Sequence, residues 1–500
     1  MSERWSDVLT RHPDLFQNNS IIGLFRLAAD YRPDQTAVVD ENSRLTYREL
    51  ELKSNQAARG LSEAGAQPGE IIAVRTGRSA EAVIACLGIW KIGCACLFVD
   101  SECPEYRNRE CMEECQVRIT ADCDFIRRAL DCQPDAAVDE VGDRDRLAVI
   151  VYTSGSCGKP KGVQLSQANV AASAANFPEI GFNSDDRYCC FANLMFVAAV
   201  YDISTALSIG ATLYLIPGGI RRNIREIAGY YREHGITVTF LPPHMAMKYI
   251  AIDQESPLRI LLSGSEPVRN LDRRPYELIN VYASSEACAL ISYYRIRDSR
   301  KWYPIGRVVS GLRYYIVDEE GKQAAENEAG ELWISGPQVT RGYRNMPELN
   351  SERFCPNPFC REAPWERVFK TGDMVKLGGD GELIYCGRRD NMVKIRGFRV
   401  ELAGVEQCII RYPGIREVCC IAHRDSGGTN LLFCYYCSDQ EIDHGKLRQY
   451  LKDYLPYYMI PSALIRCAGF PRTLSGKVDR RAFIPPPELD EHKRIEELYR

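Results

Sequence analysis

Residues 153–163 read TSGSCGKPKGV, a glycine- and hydroxyl-rich segment that carries two lysines. Glycines allow backbone N–H groups to turn toward an anion, hydroxyls add further donors, and lysines add positive charge. These residue types in this order are suited to binding the phosphates of a nucleotide. The preceding residues 147–152, LAVIVY, form an apolar run that predicts a short buried strand. We therefore expect a strand that leads into a phosphate-binding loop.

This segment differs from the common P-loop, which needs G-x-x-x-x-G-K followed by serine or threonine. Here Gly158 and Lys159 are followed by Pro160, and Thr153 stands where the first glycine would be. A flexible surface turn is the alternative interpretation of any stretch rich in glycine and serine. Other segments of the chain, described below, favour the nucleotide site.

The elements around the loop predict an α/β fold. Residues 70–75 and 96–99 have the apolar runs of strands, and residues 80–91 between them have a helical pattern. Alternation of this kind predicts parallel sheets covered by helices on both faces. From about residue 304 short strands and turns follow one another, which predicts a small β-rich subdomain.

A change of pattern after residue 389 predicts a second, smaller α+β domain, with strands at 418–422 and 431–436 and a helix near 446–454. About 95 residues are enough for a small domain. The last residues contain consecutive prolines and a charged helical pattern, which fits either the start of a carrier domain or a simple terminus. The expected organisation is a large domain over 1–389, including the β-rich part over about 304–389, a small domain over 390–484 and a linker with a short helical tail over 485–500.

Composition argues against several functional classes. The 63 Lys and Arg residues nearly balance 67 Asp and Glu, and the basic residues are scattered, which argues against nucleic-acid binding. The N-terminus lacks a signal pattern, and Lys91 and Asp202 interrupt the longest apolar stretches, so we expect a soluble cytoplasmic protein without membrane contacts. The 21 cysteines are expected to be reduced core thiols, and the C-x-x-C at Cys434 and Cys437 is not expected to bind zinc.

Beyond the glycine-rich segment, nine further segments resemble acyl-adenylate-forming (ANL) enzymes, which include acyl-CoA synthetases, luciferases and the adenylation domains of nonribosomal peptide synthetases. The segments occur in the family's order. The resemblance extends over roughly residues 20–484 and is closest to standalone peptide-synthetase adenylation domains. The nine segments are LTYREL (45–50), IWKIGCACLFVD (89–100), LLSGSEPV (261–268), NVYASSE (280–286), GELWISGPQVTRGY (330–343), FKTGDMV (369–375), GRRDNMVKIRGFRVEL (387–402), LPYYMIP (455–461) and LSGKVDR (474–480).

The resemblance implies ATP-dependent activation of a carboxylic acid. The carboxylate attacks the α-phosphate of ATP to give an acyl-AMP and pyrophosphate, and a thiol then takes the acyl group as a thioester. Charge that builds on the phosphoryl oxygens must be met by positioned donors and cations. ATP and Mg²⁺ are the implied cofactors, and the magnesium would arrive with the nucleotide. The implied acceptor is the phosphopantetheine of a carrier protein.

Two alternatives to this function stay open. A CoA ligase is one, because residues 475–477 read SGK where peptide-synthetase domains usually carry NGK. A non-catalytic adenylate-binding protein is the other, suggested by departures at Cys157, Phe98 and Val197. It is less favoured, because the motif residues whose loss would accompany loss of catalysis are retained: Lys161, Glu286, Asp373 and Lys477.

The resemblance assigns roles to individual residues. Tyr282 would stack on adenine, whose amine Asn280 would face; Asp373 would accept the ribose hydroxyls near Arg388; and Ser285 would lie near the α-phosphate. The residues that match the phosphate loop are Thr153, Ser154, Gly155, Ser156, Gly158 and Lys161.

Three catalytic and conformational roles are also implied. Glu286 would hold magnesium, and Lys477 would contact the substrate carboxylate together with ribose and phosphate oxygens during adenylation. Asp390 would be the hinge about which the small domain rotates between adenylation and thioester formation. Cys157 stands where threonine is usual, and its thiol is a weaker donor than a hydroxyl.

The acid pocket departs from that of amino-acid-activating relatives. In those enzymes an aspartate in an F-D-x-S string pairs with the substrate ammonium, and an ungapped match to this chain places Val197 there. An ammonium buried without a partner carries a large desolvation penalty, so an acid without a free α-amino group is expected. A gapped match would use YDIS at 201–204 and offer Asp202 or another relocated carboxylate to the ammonium.

The remaining pocket positions are apolar and partly aromatic, with hydroxyls only at Tyr201 and Ser263, and favour an aryl, keto, hydroxy or aliphatic acid. The predicted pocket residues are Phe196, Val197, Ala198, Tyr201, Phe240, Leu261, Ser263, Val281, Ala289 and Leu290.

Overall fold

The computed structural model describes residues 3–100, 102–138, 141, 143–153, 160–253, 255–272, 274–389, 392–395, 397–424, 430–472 and 478–484. The chain divides into two compact units. The first comprises Met1–Asp100, Met112–Tyr152 and Gly162–Arg389; the second comprises Ser101–Cys111, Thr153–Lys161 and Asp390–Arg500.

The described residues form α-helices that are numbered here in chain order. They are α1 Trp5–Arg11, α2 Asp14–Asn18, α3 Ile21–Tyr31, α4 Tyr47–Glu63, α5 Ala80–Lys91, α6 Glu105–Glu114, α7 Cys123–Cys132, α8 Gln167–Ala174, α9 Phe177–Ile180, α10 Val197–Ser208, α11 Ile224–His234, α12 Pro243–Ile252, α13 Pro347–Arg353, α14 Leu402–Ile409 and α15 His444–Tyr454. None of these helices has the length and apolar character needed to cross a bilayer.

The strands of the described residues are numbered in the same way. They are β1 Thr36–Val39, β2 Arg44–Thr46, β3 Ile71–Arg75, β4 Ala95–Phe98, β5 Thr120–Asp122, β6 Leu147–Thr153, β7 Lys161–Ser166, β8 Arg187–Cys190, β9 Thr212–Leu215, β10 Val238–Phe240, β11 Ile260–Gly264, β12 Glu277–Ser284, β13 Ala289–Ile296, β14 Arg307–Val308, β15 Arg313–Val317, β16 Gly330–Ser335, β17 Phe354–Pro356, β18 Arg367–Leu377, β19 Leu383–Arg388, β20 Met392–Ile395, β21 Phe398–Glu401, β22 Ile415–Arg424, β23 Asn430–Ser438 and β24 Ala463–Arg466.

The largest sheet has nine strands in the order β14-β13-β12-β11-β10-β8-β9-β1-β2. Strands β12, β11, β10, β8, β9 and β1 run parallel, while β2, β13 and β14 add antiparallel edges. Helices α3, α8 and α10 contribute to the hydrophobic cluster on one face, and α11 and α12 contribute to a second cluster on the other. The predicted α/β architecture is therefore confirmed.

Two further sheets involve the first unit. One has the order β5-β3-β4-β6-β7, and its pairs β3–β4, β3–β5 and β4–β6 are parallel. The other joins β15 to β19 in antiparallel pairs and contains the short strands expected after residue 304. The predicted helix over 80–91 coincides with α5, and the strand expected over 147–152 is β6, which continues through Thr153.

The second unit contains a three-stranded sheet in the order β22-β23-β24. Helices α14 and α15 pack on it through apolar residues such as Val405 and Leu447, which are fully buried. On β23, Cys434 pairs with Cys420 and Cys437 with Glu417. Because residues three apart on a strand project to opposite faces, the two cysteines of the C-x-x-C do not form one thiol pair.

A glycine allows β11 and β12 to approach closely at their carboxyl ends. A Cβ on Gly264 would lie 2.1 Å from the carbonyl oxygen of Val281, well inside van der Waals contact. Gly229, within α11, is a useful contrast, because a Cβ there would meet no atom within 4 Å. The strand pair, and with it the edge of the sheet, depends on the missing side chain at Gly264.

We predict opposite effects of alanine at these two glycines. Gly264→Ala should lower the free energy of unfolding by about 1–3 kcal/mol, because the strands must separate, whereas Gly229→Ala should raise it by about 0.5–1 kcal/mol through helix propensity. Urea unfolding followed by fluorescence measures both. A Gly264→Ala variant as stable as the wild type would contradict the close-approach argument.

Candidate functional site

The predicted pocket strands end side by side at the carboxyl edge of the nine-stranded sheet. In the strand registers Phe240 pairs with Leu262, and Gly264 pairs with Val281. Parallel α/β sheets bind ligands at this edge, since the loops that follow the strands converge there. The turn that carries the two serines and the glutamate of NVYASSE follows directly from β12.

The backbone of that turn adopts an unusual conformation. A single 3₁₀ turn, Ser285–Ala287, is followed by Cys288 with φ 49° and Ala289 with φ 79°. Two consecutive residues other than glycine at positive φ are strained, and such conformations persist only where neighbouring contacts hold them. The turn is thus held by its surroundings rather than by local preference.

Glu286 lies within this turn and is fully buried. The phenol of Tyr343 donates a hydrogen bond of 2.7 Å to its Oε1 atom, and the backbone N–H of Thr340 donates to its carbonyl oxygen at 3.0 Å. A buried carboxylate is stable only when donors or cations meet it, so these contacts fix its orientation. Carboxylate oxygens are also the ligands that Mg²⁺ prefers.

Three of the predicted nucleotide residues lie in contact. The hydroxyl of Tyr282 donates to Oδ2 of Asp373 at 2.5 Å, and Nη1 of Arg388 donates to Oδ1 at 2.8 Å. Burial, with the adjacent Asp373 carboxylate, raises the pKa of Tyr282 well above its ordinary value. Tyr282 therefore stays a neutral donor, and Asp373 is oriented by partners at both oxygens.

The backbone around Asp373 supports this arrangement. Asp373 and Arg388 are register partners on β18 and β19. The hydroxyl of Thr371 accepts from the N–H of Asp373 at 3.0 Å and donates to the carbonyl of Leu332 at 2.7 Å. The carboxylate is consequently fixed by strand pairing as well as by its side-chain contacts.

The phosphate segment is described only at its ends. Thr153 ends β6, and Lys161 begins β7 with its ammonium donating to Oε1 of Glu401 at 2.7 Å within the second unit. Asn280 is buried, and its amide donates to the carbonyl of Pro304 at 2.6 Å, so that donor is already committed. The predicted site residues that lie outside the described residues are Ser154, Gly155, Ser156, Gly158, Asp390 and Lys477.

The predicted acid pocket divides between two clusters. Leu261 belongs to the cluster formed with α11 and α12. Its neighbours Ile260 and Leu262 on β11 belong to the cluster formed with α3, α8 and α10, here called the main cluster. Ser263 is buried, and its hydroxyl has no hydrogen-bond partner among the described residues. Phe196 is the N-cap of α10 and, like Ala198, is half-buried. The pocket residues within or packed against the main cluster are Val197, Tyr201, Phe240, Val281, Ala289 and Leu290.

Asp202 faces the sheet rather than the predicted pocket. It is buried on α10 beside the Tyr188 hydroxyl and the Cys190 thiol of β8. Burial raises the pKa of Asp202 to about 7, although those two groups and the charge of Arg78 favour its ionised form. Residues five apart on a helix are separated by roughly 140°, so Val197 and Asp202 point in different directions.

Three polar residues of the GELWISGPQVTRGY segment were not assigned a role from the sequence. Gln338 and Thr340 are fully buried and Tyr343 nearly so, and all three contact residues 286–290. The available signal was the presence of several polar side chains in the short segment that follows β16. It does not by itself say which residues they contact.

Comparisons with known proteins extend over almost the whole chain. A family model described as AMP-binding enzyme matches residues 25–344, and one described as AMP-binding enzyme C-terminal domain matches residues 404–477. Bacitracin synthase 1 of Bacillus licheniformis is 33% identical over 504 residues, which cover 97% of this chain and 9% of that protein. Tyrocidine synthase 2 of Brevibacillus parabrevis is 35% identical over 503 residues, which cover 96% of this chain and 14% of that protein. The chain thus spans a small fraction of these relatives.

Solved structures share the fold at lower identity. An artificially fused adenylation-PCP di-domain, NpsA-ThdA from Klebsiella oxytoca, aligns with a TM-score of 0.80 and 24% identity over 90% of this chain and 94% of that one. An o-succinylbenzoate CoA synthetase from Bacillus subtilis aligns with a TM-score of 0.79 and 19% identity over 92% and 97%. Below 25% identity these similarities establish the architecture alone.

We predict that Asp202 makes stability depend on pH. Its folded pKa is about 7 against an ordinary 3.8, so the folded state holds a proton that the unfolded chain releases between these values. Stability contributed by the protonated carboxyl is lost as pH rises through this window. Relative to Asp202→Asn, the wild type should lose on the order of 4 kcal/mol between about pH 4 and pH 8.

Urea titrations at fixed pH measure this difference. Asp34→Asn is the matched control, because the Asp34 side chain is 89% exposed. A constant difference between wild type and Asp202→Asn across the range would contradict the prediction.

Proposed function

Because the chain belongs to the AMP-binding enzyme family, we propose that it is a ligase that adenylates a carboxylic acid with ATP and transfers the acyl group to the phosphopantetheine thiol of a carrier protein. The contact of Tyr282, Asp373 and Arg388 is the observation that carries this proposal. It joins three residues from three separate motifs whose predicted roles all concern one nucleoside.

The donors and acceptors of this group fit an adenosine. A carboxylate has about four lone-pair sites, so Asp373 can accept two ribose hydroxyls while it keeps its bonds to Tyr282 and Arg388. The ring of Tyr282 is a flat apolar surface suited to stacking on adenine. Arg388 donates to the carboxylate and orients it, which leaves lone pairs available to further donors.

Glu286 fits the magnesium ion that accompanies the nucleotide. The Tyr343 hydroxyl donates to Oε1 of the carboxylate, and carboxylate oxygens are the hard ligands that Mg²⁺ prefers. When bound, magnesium would supply positive charge that offsets the charge of the phosphate oxygens. Ser285, which directly precedes Glu286 in the chain, would add a hydroxyl donor near the α-phosphate.

The chemical steps place demands on residues of both proposed domains. The acid's carboxylate oxygen forms a bond to the α-phosphorus and pyrophosphate leaves; the carrier thiolate then bonds to the acyl carbon and AMP leaves. Lys477 would stabilise the charge that grows in the first step, and Lys161, with the glycine-rich segment, would meet the pyrophosphate. We assign residues 1–389 to the large domain and 390–484 to a mobile domain that turns at Asp390.

The substrate proposed is an apolar aryl, keto or aliphatic acid without a free α-amino group. Val197 begins α10 where relatives that activate amino acids carry an aspartate, so no carboxylate stands there. Asp202 is buried beside Tyr188 and Cys190 of β8, which supports the ungapped alignment over the alternative that offers it to an ammonium. The main-cluster pocket residues, Tyr201 and Val281 among them, are apolar or aromatic.

A carrier protein is the favoured acceptor. The resemblance to peptide-synthetase adenylation domains implies this acceptor, and bacitracin synthase 1 and tyrocidine synthase 2 are relatives at 33% and 35% identity. CoA is the second candidate, favoured by the SGK of LSGKVDR.

We predict that acid-dependent ATP–pyrophosphate exchange, measured over amino, aryl, keto and fatty acids, is fastest with an acid that lacks an α-amino group. Val197→Asp should shift the preference toward α-amino acids by at least about tenfold, because the new carboxylate can pair with their ammonium. Val197→Asn is the matched control of similar size without charge. Lys477→Ala should abolish exchange and sets the background.

Clear preference of the wild type for an ordinary α-amino acid would overturn the substrate assignment and point to a relocated carboxylate. Absence of exchange above the Lys477→Ala background with every acid would overturn the adenylation proposal itself.

The acceptor is tested separately. With the preferred acid and ATP, a phosphopantetheinylated carrier protein should be acylated, and mass spectrometry should detect the added acyl group. Faster acylation of free CoA than of any carrier tested would favour the CoA ligase instead.

A further inference from the structure

Residues 338–344, here called the brace, contact both sides of the Glu286 turn. The Tyr343 phenol donates to Glu286 Oε1 at 2.7 Å, and Thr340 N–H donates to the Glu286 carbonyl at 3.0 Å. The Gln338 amide donates to the carbonyl of Ala287 at 3.2 Å and to that of Leu290 at 2.9 Å. The carboxylate and the backbone that carries it are therefore fixed by one segment.

The same segment pairs with β7, which follows the glycine-rich loop in the chain. Val163 and Tyr343 form an antiparallel bridge. The N–H of Arg344 donates to the Gly162 carbonyl at 2.8 Å, and Gln164 N–H donates to the Gly342 carbonyl at 3.0 Å. Strand β7 and the Glu286 turn are thus linked through a few residues of continuous backbone.

Tyr343 is held firmly at the centre of this link. Asn350 Oδ1 accepts from the Tyr343 N–H, and Asn350 Nδ2 donates to the Tyr343 carbonyl, both at 2.7 Å. Gly342 has φ 116°, and a Cβ there would lie 2.5 Å from Asn350 Oδ1, so only glycine allows this approach. The Tyr343 ring packs edge-on against Phe354.

We propose that Tyr343 is a positioning residue that holds the Glu286 carboxylate for the metal and thereby couples metal binding to binding of the nucleotide. The inference rests on the proposed function, since it takes Glu286 as the magnesium carboxylate. A hydrogen bond to a charged group in a buried site is stronger than one between neutral groups. Without this hydrogen bond the carboxylate can rotate, so it binds the metal more weakly. The metal then strengthens the binding of the nucleotide phosphates less.

Coupling of this kind is a ratio of affinities. The dissociation constant of ATP is measured by calorimetry in EDTA and in saturating Mg²⁺, with no acid present. The ratio of the value in EDTA to the value in Mg²⁺ is then compared between variants. In Tyr343→Phe the ratio should fall by about tenfold, the effect of one charge-assisted hydrogen bond. ATP affinity in EDTA should change less than about twofold.

Tyr249→Phe is the matched control. Tyr249 is a buried tyrosine of the second cluster whose hydroxyl forms a 2.7 Å hydrogen bond with Ser256. The same substitution there removes a buried hydrogen bond of the same length between neutral groups and should leave the ratio unchanged.

The outcomes separate the two proposals. The coupling role is overturned if the ratio is equal in wild type and Tyr343→Phe, or if ATP binding weakens equally with and without Mg²⁺. The proposed function still stands in that case, provided that Mg²⁺ strengthens ATP binding. A wild type that binds no ATP under either condition overturns the proposed function. If Tyr343→Phe does not fold, Asn350→Ala keeps the hydroxyl but releases the Tyr343 backbone, and it should lower the ratio in the same direction; an unchanged ratio then overturns the proposal.

Discussion

The burial of the Glu286 carboxylate is the constraint on which the rest of the site depends. A carboxylate removed from water must be met by donors or cations, because its desolvation otherwise costs several kcal/mol. In this protein Tyr343 supplies a donor from 57 positions further along the chain. The need to bring that phenol to the carboxylate explains why the segment after β16 returns to the carboxyl edge of the sheet.

The group of Tyr282, Asp373 and Arg388, which we propose binds the nucleoside, is also oriented by contacts within the protein. Asp373 is oriented by strand pairing with Arg388, by the hydrogen bond of its backbone N–H to the Thr371 hydroxyl and by the hydroxyl of Tyr282. These contacts leave lone pairs of the carboxylate available, which a ligand that bears hydroxyls needs. Asn280 differs, since its amide donates to the backbone of Pro304. An adenine amine would therefore have to meet its carbonyl oxygen, an acceptor that remains suited to this contact.

Much of the architecture could be predicted from the sequence because its signals are local. The helical pattern over 80–91 and the apolar run before Thr153 each specify their own element, and both were observed. The contacts of Tyr343 could not be predicted in this way, since they depend on tertiary approach. Leu261 illustrates a further limit: motif order assigned it to the pocket, while strand alternation puts it in the cluster opposite Val281. The role of residues such as Lys477 depends on resemblance, because they lie outside the described residues.

The strained turn and the brace are best understood together. Cys288 and Ala289 hold positive φ values that cost of order 1–3 kcal/mol each, so neighbouring bonds must offset them. Gln338 donates to carbonyls on both sides of the strained pair, and the Ser173 hydroxyl donates to the carbonyl of Cys288 itself. The bonds that hold Glu286 in place are consequently adjacent to those that maintain the strain. A site built in this way has its carboxylate oriented before any ligand arrives, so that little of the binding free energy is needed for reorganisation.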